Sequence, residues 1–271
     1  MIDVEPLDYL DSVHGRFPEG SLVVDVGAAE GELTSQFRAR WPECPVLALE
    51  PTPSQASGLR TRFRDDCAVT ISEIALGDRP QRGSLRCYAD GTQNSLSSHL
   101  GADAATTVNV DVSTLDITLQ QYPHLPPPWF IKIDTQGFDL RVLRGGEATI
   151  ATHRPLLQVE VIFSRLYRDQ CGPPALMGYL ADQGYHLADI RMPHVDAEGR
   201  LSYADWIFTP FAPQGPSAPF RCRDPFLLAD QLAVFQQAAE ERLKLIGLLD
   251  AECQARLKII DDLRTAGISH D

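Results

Sequence analysis

The chain has 271 residues, 44% of them hydrophobic, and carries a formal net charge of −13. That length suffices for one full α/β domain with an appendage, and the ordinary apolar fraction excludes wholesale disorder. The acidic balance argues against a binder of nucleic-acid backbone, which needs a basic face.

The opening stretch MIDVEPLDYLDSVHGRF lacks the basic, apolar and small-residue regions of a signal peptide, and no run approaches roughly 18 apolar residues. Cys44, Cys67, Cys87, Cys171, Cys222 and Cys253 contain no C-x-x-C pair, so free thiols are expected rather than a zinc or redox centre. Together these predict a soluble cytoplasmic protein without a membrane span.

Along the chain, SLVVDV (21–26) reads as a strand, followed by a helix that aligns Leu33, Phe37 and Trp41 at i, i+4 and i+8. VLALEP (46–51) is a second strand. TPSQ (52–55) then offers Thr at N-cap, Pro at N1 and Gln at N3, a capping-box start for a helix to about Phe63. VTISEIAL (69–76) reads as a third strand, and SLRCYA and VNVDV as half-exposed ones. STLDITLQQY (113–122) predicts a short helix, and PPPWFIKID a buried strand ending at Asp134. A helix over 139–152, the strand LLQVEVI (156–162), a helix near 173–183 and the strands YHLADI and ADWIFTP complete the pattern. Alternating helices and continuous apolar strands predict a mostly parallel sheet covered on both faces.

Composition changes at TPFAPQGPSAPFRCRDPF (209–226), where five prolines and no periodicity indicate a linker or strap. Beyond it ERLKLI (241–246) returns as ARLKII (255–260), and Leu243, Ile246, Leu249, Cys253, Leu257, Ile260 and Leu263 form a helical stripe. The expected division is a domain over 1–208, a Pro-rich linker over 209–225 and a C-terminal amphipathic helix or coiled-coil segment over 226–271. Packing on its own domain, homo-oligomerisation and partner docking through 226–266 are the alternatives for that helix.

The loop VVDVGAAEGELT (23–34) carries the functional signal. A dinucleotide fingerprint counted from Gly27 needs glycines at 29 and 32, where this chain has Ala29 and Glu32. The pattern is instead Asp25-x-Gly27-Ala28-Ala29-Glu30-Gly31. Acidic residues oppose a pyrophosphate but suit S-adenosylmethionine, which carries a sulfonium and an ammonium and no phosphate. Glu50, 23 residues after Gly27 and followed by Pro51, can take both ribose hydroxyls. Glu73 and Ile74 are the expected adenine contacts.

These pieces resemble the FkbM family of S-adenosylmethionine-dependent methyltransferases over about residues 21–208. VVDVGAAEGELT is similar to the family's opening loop and LALEP to its ribose-binding strand end. IALGD, NSLSS and STLD have counterparts, and FIKIDTQGFDLRVLRGG is similar to the most characteristic block. LLQVEVIFSRLY and ADWIF resemble the later segments. The resemblance implies a Rossmann-like class I methyltransferase fold with a seven-stranded, mostly parallel sheet whose terminal antiparallel strand is YHLADI or ADWIF. It also implies O-methylation of a hydroxyl on a sugar, polyketide or other small product. The chain departs from the family pattern at Gln136, where a Glu often stands, and at Asp139, where the acid is shorter.

A hydroxyl acceptor must lose a proton as the new bond forms, and a placed base contributes about 10²–10⁴-fold. Asp134, at the end of its strand, is the first candidate for that base and also borders the cofactor, with Lys132 on the same strand face as a pairing partner. Glu160, a carboxylate inside an apolar strand, is costly unless paired or functional, which makes it a second base or substrate contact. Asp134 and Glu160 could together hold Mg²⁺. His99 and His153 are the histidines to screen as bases. GTQNSLSSHL (91–100) is expected to form an acceptor-side lid with Asn94 and Ser95 reaching substrate, and Tyr167 is a further substrate candidate. The rival readings are an NAD-dependent oxidoreductase or epimerase, which lacks its glycine spacing here, and a non-catalytic cofactor fold that mounts the C-terminal helix.

Overall fold

A computed structural model describes residue 10 and residues 15–88, 91, 93–101, 106–196 and 199–211. The strands are β1 (Leu22–Val26), β2 (Val46–Leu49), β3 (Val69–Ser72), β4 (Ala75–Leu76), β5 (Gln81–Cys87), β6 (Thr106–Ser113), β7 (Pro128–Ile133), β8 (Leu156–Ile162), β9 (His186–Val195) and β10 (Leu201–Thr209). The helices are α1 (Glu32–Arg40), α2 (Pro53–Arg62), α3 (Leu115–Gln120), α4 (Asp139–Gly145), α5 (Glu147–His153) and α6 (Pro173–Asp182).

Seven strands form the main sheet in the order β3-β2-β1-β7-β8-β10-β9. β1, β2, β3, β7 and β8 run parallel, and β10 is antiparallel to both β8 and β9. The expected seven-stranded, mostly parallel sheet is therefore present, and its antiparallel strand is ADWIF, inserted between β8 and the edge strand β9. Chain order reverses between β1 and β7, which opens a crevice at the strands' carboxyl ends. β1, β2, β7 and β8 are buried at every position, as continuous apolar runs between two helical layers require.

On one face α1 lays Phe37 against Phe130, with ring centroids 4.8 Å apart, and Trp41 meets Trp129 edge-on at 5.1 Å. Burying each such side chain contributes roughly 1.5–3 kcal/mol. Phe37, Trp41, Trp129 and Phe130 join Val23, Val46 and Leu156 in one apolar cluster that fixes β1 beside β7.

Three expectations change. VTISEIAL is two strands, because the chain leaves the main sheet at Glu73–Ile74 and Ala75–Leu76 pairs with β6 in a three-stranded sheet ordered β4-β6-β5. The segment 139–152 is two helices, α4 and α5, meeting at Gly146, whose φ of −111° and ψ of 16° leave helical values. Glycine favours such a break because it costs about 1 kcal/mol in a helix interior. Thr52 does precede Pro53 as N-cap of α2, but no capping box forms. Its hydroxyl accepts from Asn94 Nδ2 at 3.2 Å, and Gln55 is turned toward Gly91 and Asn94.

Cys44, Cys67, Cys87 and Cys171 are free thiols. Among the described residues no helix is long and apolar enough to cross a membrane. Cys222, Cys253, the linker beyond Phe211 and the helix of 226–271 lie outside the described residues.

Candidate functional site

A cleft of about 470 Å³ lies at the carboxyl ends of β1, β2, β7 and β8, a size that suits a small-molecule site. Its first end is made largely by backbone. Gly27 takes φ +78°, and a Cβ there would stand 2.0 Å from the carbonyl oxygen of Asp134. Only glycine lets the end of β1 press this closely on the end of β7. Gly31 takes φ +79° at the N-terminus of α1, and Ala29 between them is also left-handed at φ 47°.

Glu50 locks this loop. Its Oε2 accepts from Ala29 N at 2.9 Å and its Oε1 from Thr52 N at 2.8 Å. Each carboxylate oxygen has a second lone pair available for a ligand donor. Burial pushes the Glu50 carboxyl above its ordinary value, and the bonds from Thr52 and Ala29 oppose that rise. Gly27, Ala28, Ala29, Glu30, Glu50 and Pro51 all line the cleft, as does Ile74.

Three residues expected at this end do not line it. Asp25 is fully buried beneath the loop, where Oδ2 accepts from Thr34 Oγ1 at 2.7 Å and Oδ1 faces Lys132 Nζ at 3.6 Å. It holds the loop's foundation and does not reach the cavity. Gly31 serves the turn, with its missing Cβ giving room to Leu59 and Phe63. Glu73 points to Arg60, 3.0 Å away, in an exposed pair.

The second end is built from polar side chains on strands. Register places Asp25 of β1 opposite Lys132 of β7, and Lys132 opposite Gln158 of β8. Glu160 of β8 lies opposite Asp205 of β10, which lies opposite Arg191 of β9. Partners in register share a sheet face, so Asp25, Lys132 and Gln158 form one polar row and Glu160, Asp205 and Arg191 a second. The two join where Gln158 Nε2 donates to Asp205 Oδ2 at 2.8 Å. Lys132 Nζ donates to Gly27 O at 2.9 Å and stands 3.3 Å from Asp134 Oδ2, tying the two ends together. Burial alone would lower the Lys132 pKa, but Asp134, Asp25 and Asp205 reverse this and hold it above the usual lysine range.

Gln136, at left-handed φ 53°, is the hub of this end. Its Nε2 donates to Asp134 Oδ1 at 2.8 Å and to Glu160 Oε1 at 3.3 Å, and its Oε1 accepts from Tyr167 Oη at 2.5 Å. A glutamate here would set a third carboxylate against two others, whereas the amide offers each a donor. Asp139 staples the same loop by accepting from Thr135 N, Thr135 Oγ1 and Gly137 N at 2.8, 2.9 and 3.1 Å. Burial first, and Asp134 next among the charges, push its carboxyl up to about 6.

Asp134 and Lys132 line the cleft, but Glu160 and Tyr167 do not. Glu160 is buried over a void of about 10 Å³ on the α6 side, with Oε2 lacking a hydrogen-bond partner. Burial, then Asp134 and Asp139, raise its carboxyl well above the ordinary range. The expected Asp134–Glu160 cation site is occupied by the Gln136 amide, which bridges the two carboxylates. Among the described residues no group of three or more His, Cys, Asp or Glu is placed to hold a metal.

Asn94 and Ser95 line the cleft, but their polar atoms are turned into the protein. Asn94 Oδ1 accepts from Tyr88 N at 2.9 Å, and Ser95 Oγ donates to Gln136 O at 2.7 Å. They fasten the 91–100 segment to α2 and to the Gln136 loop. His99 lies edge-on to Tyr167 at 5.1 Å and His153 ends α5, and neither lines the cleft.

Asp205, Gln158, Arg191 and Met192 line the cleft and were not anticipated. A polar residue within an apolar strand was the available signal, and it applies to Asp205 in ADWIF as much as to Glu160 in LLQVEVI.

The family described as Methyltransferase FkbM domain has a model that matches residues 25–187. Methyltransferase 1 of Beauveria bassiana (strain ARSEF 2860) is 25% identical over 201 residues, which cover 60% of this chain and 81% of that protein. The solved structure of Methyltransferase FkbM from Methylobacillus flagellatus KT aligns with a TM-score of 0.48 at 19% identity, covering 71% of this chain and 44% of that one. This chain thus spans less than half the length of that protein. Aeropyrum pernix fibrillarin, solved with natively bound S-adenosyl-L-methionine, aligns with a TM-score of 0.39 at 12% identity over 70% of this chain and 67% of that one.

Proposed function

The chain belongs to the FkbM methyltransferase family, and from that premise we propose that it is an S-adenosylmethionine-dependent O-methyltransferase acting on a hydroxyl of a saccharide or secondary metabolite. The observation that carries the cofactor reading is the charge of the cleft. Five acids line it (Glu30, Glu32, Glu50, Asp134 and Asp205) against two cations, Lys132 and Arg191. Lys132 is already held by Gly27 O and two aspartates. A dinucleotide's diphosphate would meet net negative charge here, whereas a sulfonium and an ammonium are favoured by it.

Glu50 would take the ribose hydroxyls through charge-assisted bonds, using the lone pairs left by Ala29 N and Thr52 N. The Gly27–Glu30 loop would hold the amino-acid part through close backbone approach, and Ile74, Leu96 and Phe138 offer an apolar wall to the purine. The bound cofactor supplies an activated methyl group on sulfur.

The protein's own task is alignment of the acceptor oxygen, which can be worth roughly 7–11 kcal/mol. Asp134 borders the position of that hydroxyl, fixed on one side by Lys132 and on the other by Gln136. Tyr167 and Glu160 act on this position through Gln136. Asn94 and Ser95 shape the wall. A small acceptor also agrees with a net charge of −13, which repels a polyanion.

Incubation with S-adenosylmethionine carrying a radiolabelled methyl group, against a panel of methyl glycosides, polyols and primary amines, tests the reaction class. Label in alkali-stable ethers is the expected result, and label confined to amines would overturn oxygen as the acceptor atom.

A further inference from the structure

We propose that Asp205, on the antiparallel strand β10, is the group that takes the acceptor hydroxyl's proton, while Asp134 anchors Lys132 and Gln136 beside it. The inference rests on the methyl-transfer reading above and assigns a catalytic residue within it.

The carboxylates near the second end differ in which oxygens remain open. Asp134 has Oδ1 bonded to the Gln136 amide and Oδ2 paired with Lys132. A proton arriving there displaces one of these partners. Glu160 donates nothing to the cleft because it does not line it, and Asp139 has both oxygens committed to the 135–137 loop. Asp25 is fully buried beneath Lys132. Asp205 lines the cleft and has only Oδ2 engaged, accepting from Gln158 Nε2 at 2.8 Å. Among the described residues its Oδ1 has no hydrogen-bond partner, and it is not among the buried unpaired atoms. This leaves one carboxylate oxygen of the row open to an acceptor.

The surroundings of Asp205 tune it for this use. It faces Asp134 and Lys132 from β7, Glu160 and Gln158 from β8, Arg191 and its partner Asp189 from β9, and Tyr203 on its own strand. Burial, and then the Asp134 charge, push its carboxyl up to about 6, with Lys132 and Gln158 pulling the other way. A base that is ionised near neutrality but still takes a proton readily is the one general-base catalysis favours.

In the step itself the acceptor O–H breaks, its proton goes to Asp205 Oδ1, and the oxygen forms a new bond to the methyl carbon. The methyl–sulfur bond breaks with its electron pair staying on sulfur, and Asp205 then releases the proton to water. The charges balance, since a sulfonium becomes a neutral thioether as the carboxylate becomes neutral.

The test uses the full chain labelled with ¹³C at aspartate carboxyls, titrated from pH 4 to 9 by NMR. Alongside it run S-adenosylhomocysteine calorimetry and methyl-transfer rates on the glycoside or polyol that the panel above labels. Among the described residues Asp205 and Asp139 should give aspartate resonances that titrate near pH 6, and Asp205→Asn should remove one of the two. Asp205→Asn should keep S-adenosylhomocysteine affinity within about threefold while kcat falls about 10²–10⁴-fold. The acid limb of the wild-type pH–rate profile near 6 should vanish in that variant, and Asp205→Glu should restore part of the rate with the limb. An Asp205→Asn enzyme that keeps kcat within about fivefold, or keeps the acid limb, overturns the assignment. Failure of the wild-type chain to bind S-adenosylhomocysteine would instead strike the methyl-transfer reading on which it rests.

Discussion

The two ends of the cleft are built from different materials. At the β1–β2 end the chain folds three left-handed residues, Gly27, Ala29 and Gly31, around a single carboxylate, Glu50, and the surface offered to a ligand is mostly backbone. At the β7–β10 end side chains on neighbouring strands carry the charge in a row from Asp25 through Lys132 and Gln158 to Asp205. The first end tolerates few residues for steric reasons, so its chemistry is concentrated in one short stretch. The second distributes its chemistry over strands far apart in sequence, and each charge is held only because its neighbours compensate it.

This contrast can be broken most sharply at Gly27. Gly27→Ala adds a left-handed penalty of about 1–2 kcal/mol to a clash with the rigid Asp134 carbonyl. A total loss of about 3 kcal/mol or more is expected, lowering Tm by roughly 6–12 °C. A Tm within about 2 °C of wild type would mean that the close approach of β1 to β7 is not what demands glycine.

A smaller effect of opposite sign is expected at the other end. The Glu160 carboxyl is raised in the folded chain by burial and then by Asp134 and Asp139. A carboxyl raised on folding adds stability that is fully present below its unfolded pKa and lost as pH rises through the folded value. Glu160→Gln removes that loss, so variant and wild type should unfold alike near pH 4. Above that the variant should gain stability progressively, by on the order of 1 kcal/mol at alkaline pH. Thermal melts across the range check this, and a difference that does not grow with pH would show that Glu160 is not held against its neighbours' charge.

The same contrast explains what could be read from the residues alone. Gly27 and Glu50 lie at the ends of two consecutive apolar strands, so spacing along the chain equals placement in space. The antiparallel strand and the polar row depend on the order β7-β8-β10-β9 and on register, which no local pattern encodes. Glu160 stands out as an acid in an apolar strand, yet it lies behind Gln136 and does not line the cleft, while Asp205, with the same kind of signal, does. Gln136 looked like a defect in a family pattern because its value lies in three tertiary bonds, to Asp134, Glu160 and Tyr167. The break at Gly146 and the departure of Ala75–Leu76 into the second sheet were missed because helical and strand periodicity continue across both.

Calorimetric titration of S-adenosylhomocysteine into the wild-type chain and into Glu50→Gln bears most directly on the cleft as a sulfonium-donor site. The amide cannot accept from both Ala29 N and Thr52 N, and it loses the charge that grips the ribose. Wild type should bind, the variant should bind about 10–100-fold more weakly while keeping its melting temperature within a few degrees, and NAD should give no heat with either. Binding of NAD in place of S-adenosylhomocysteine, or equal affinity in both proteins, would contradict the account.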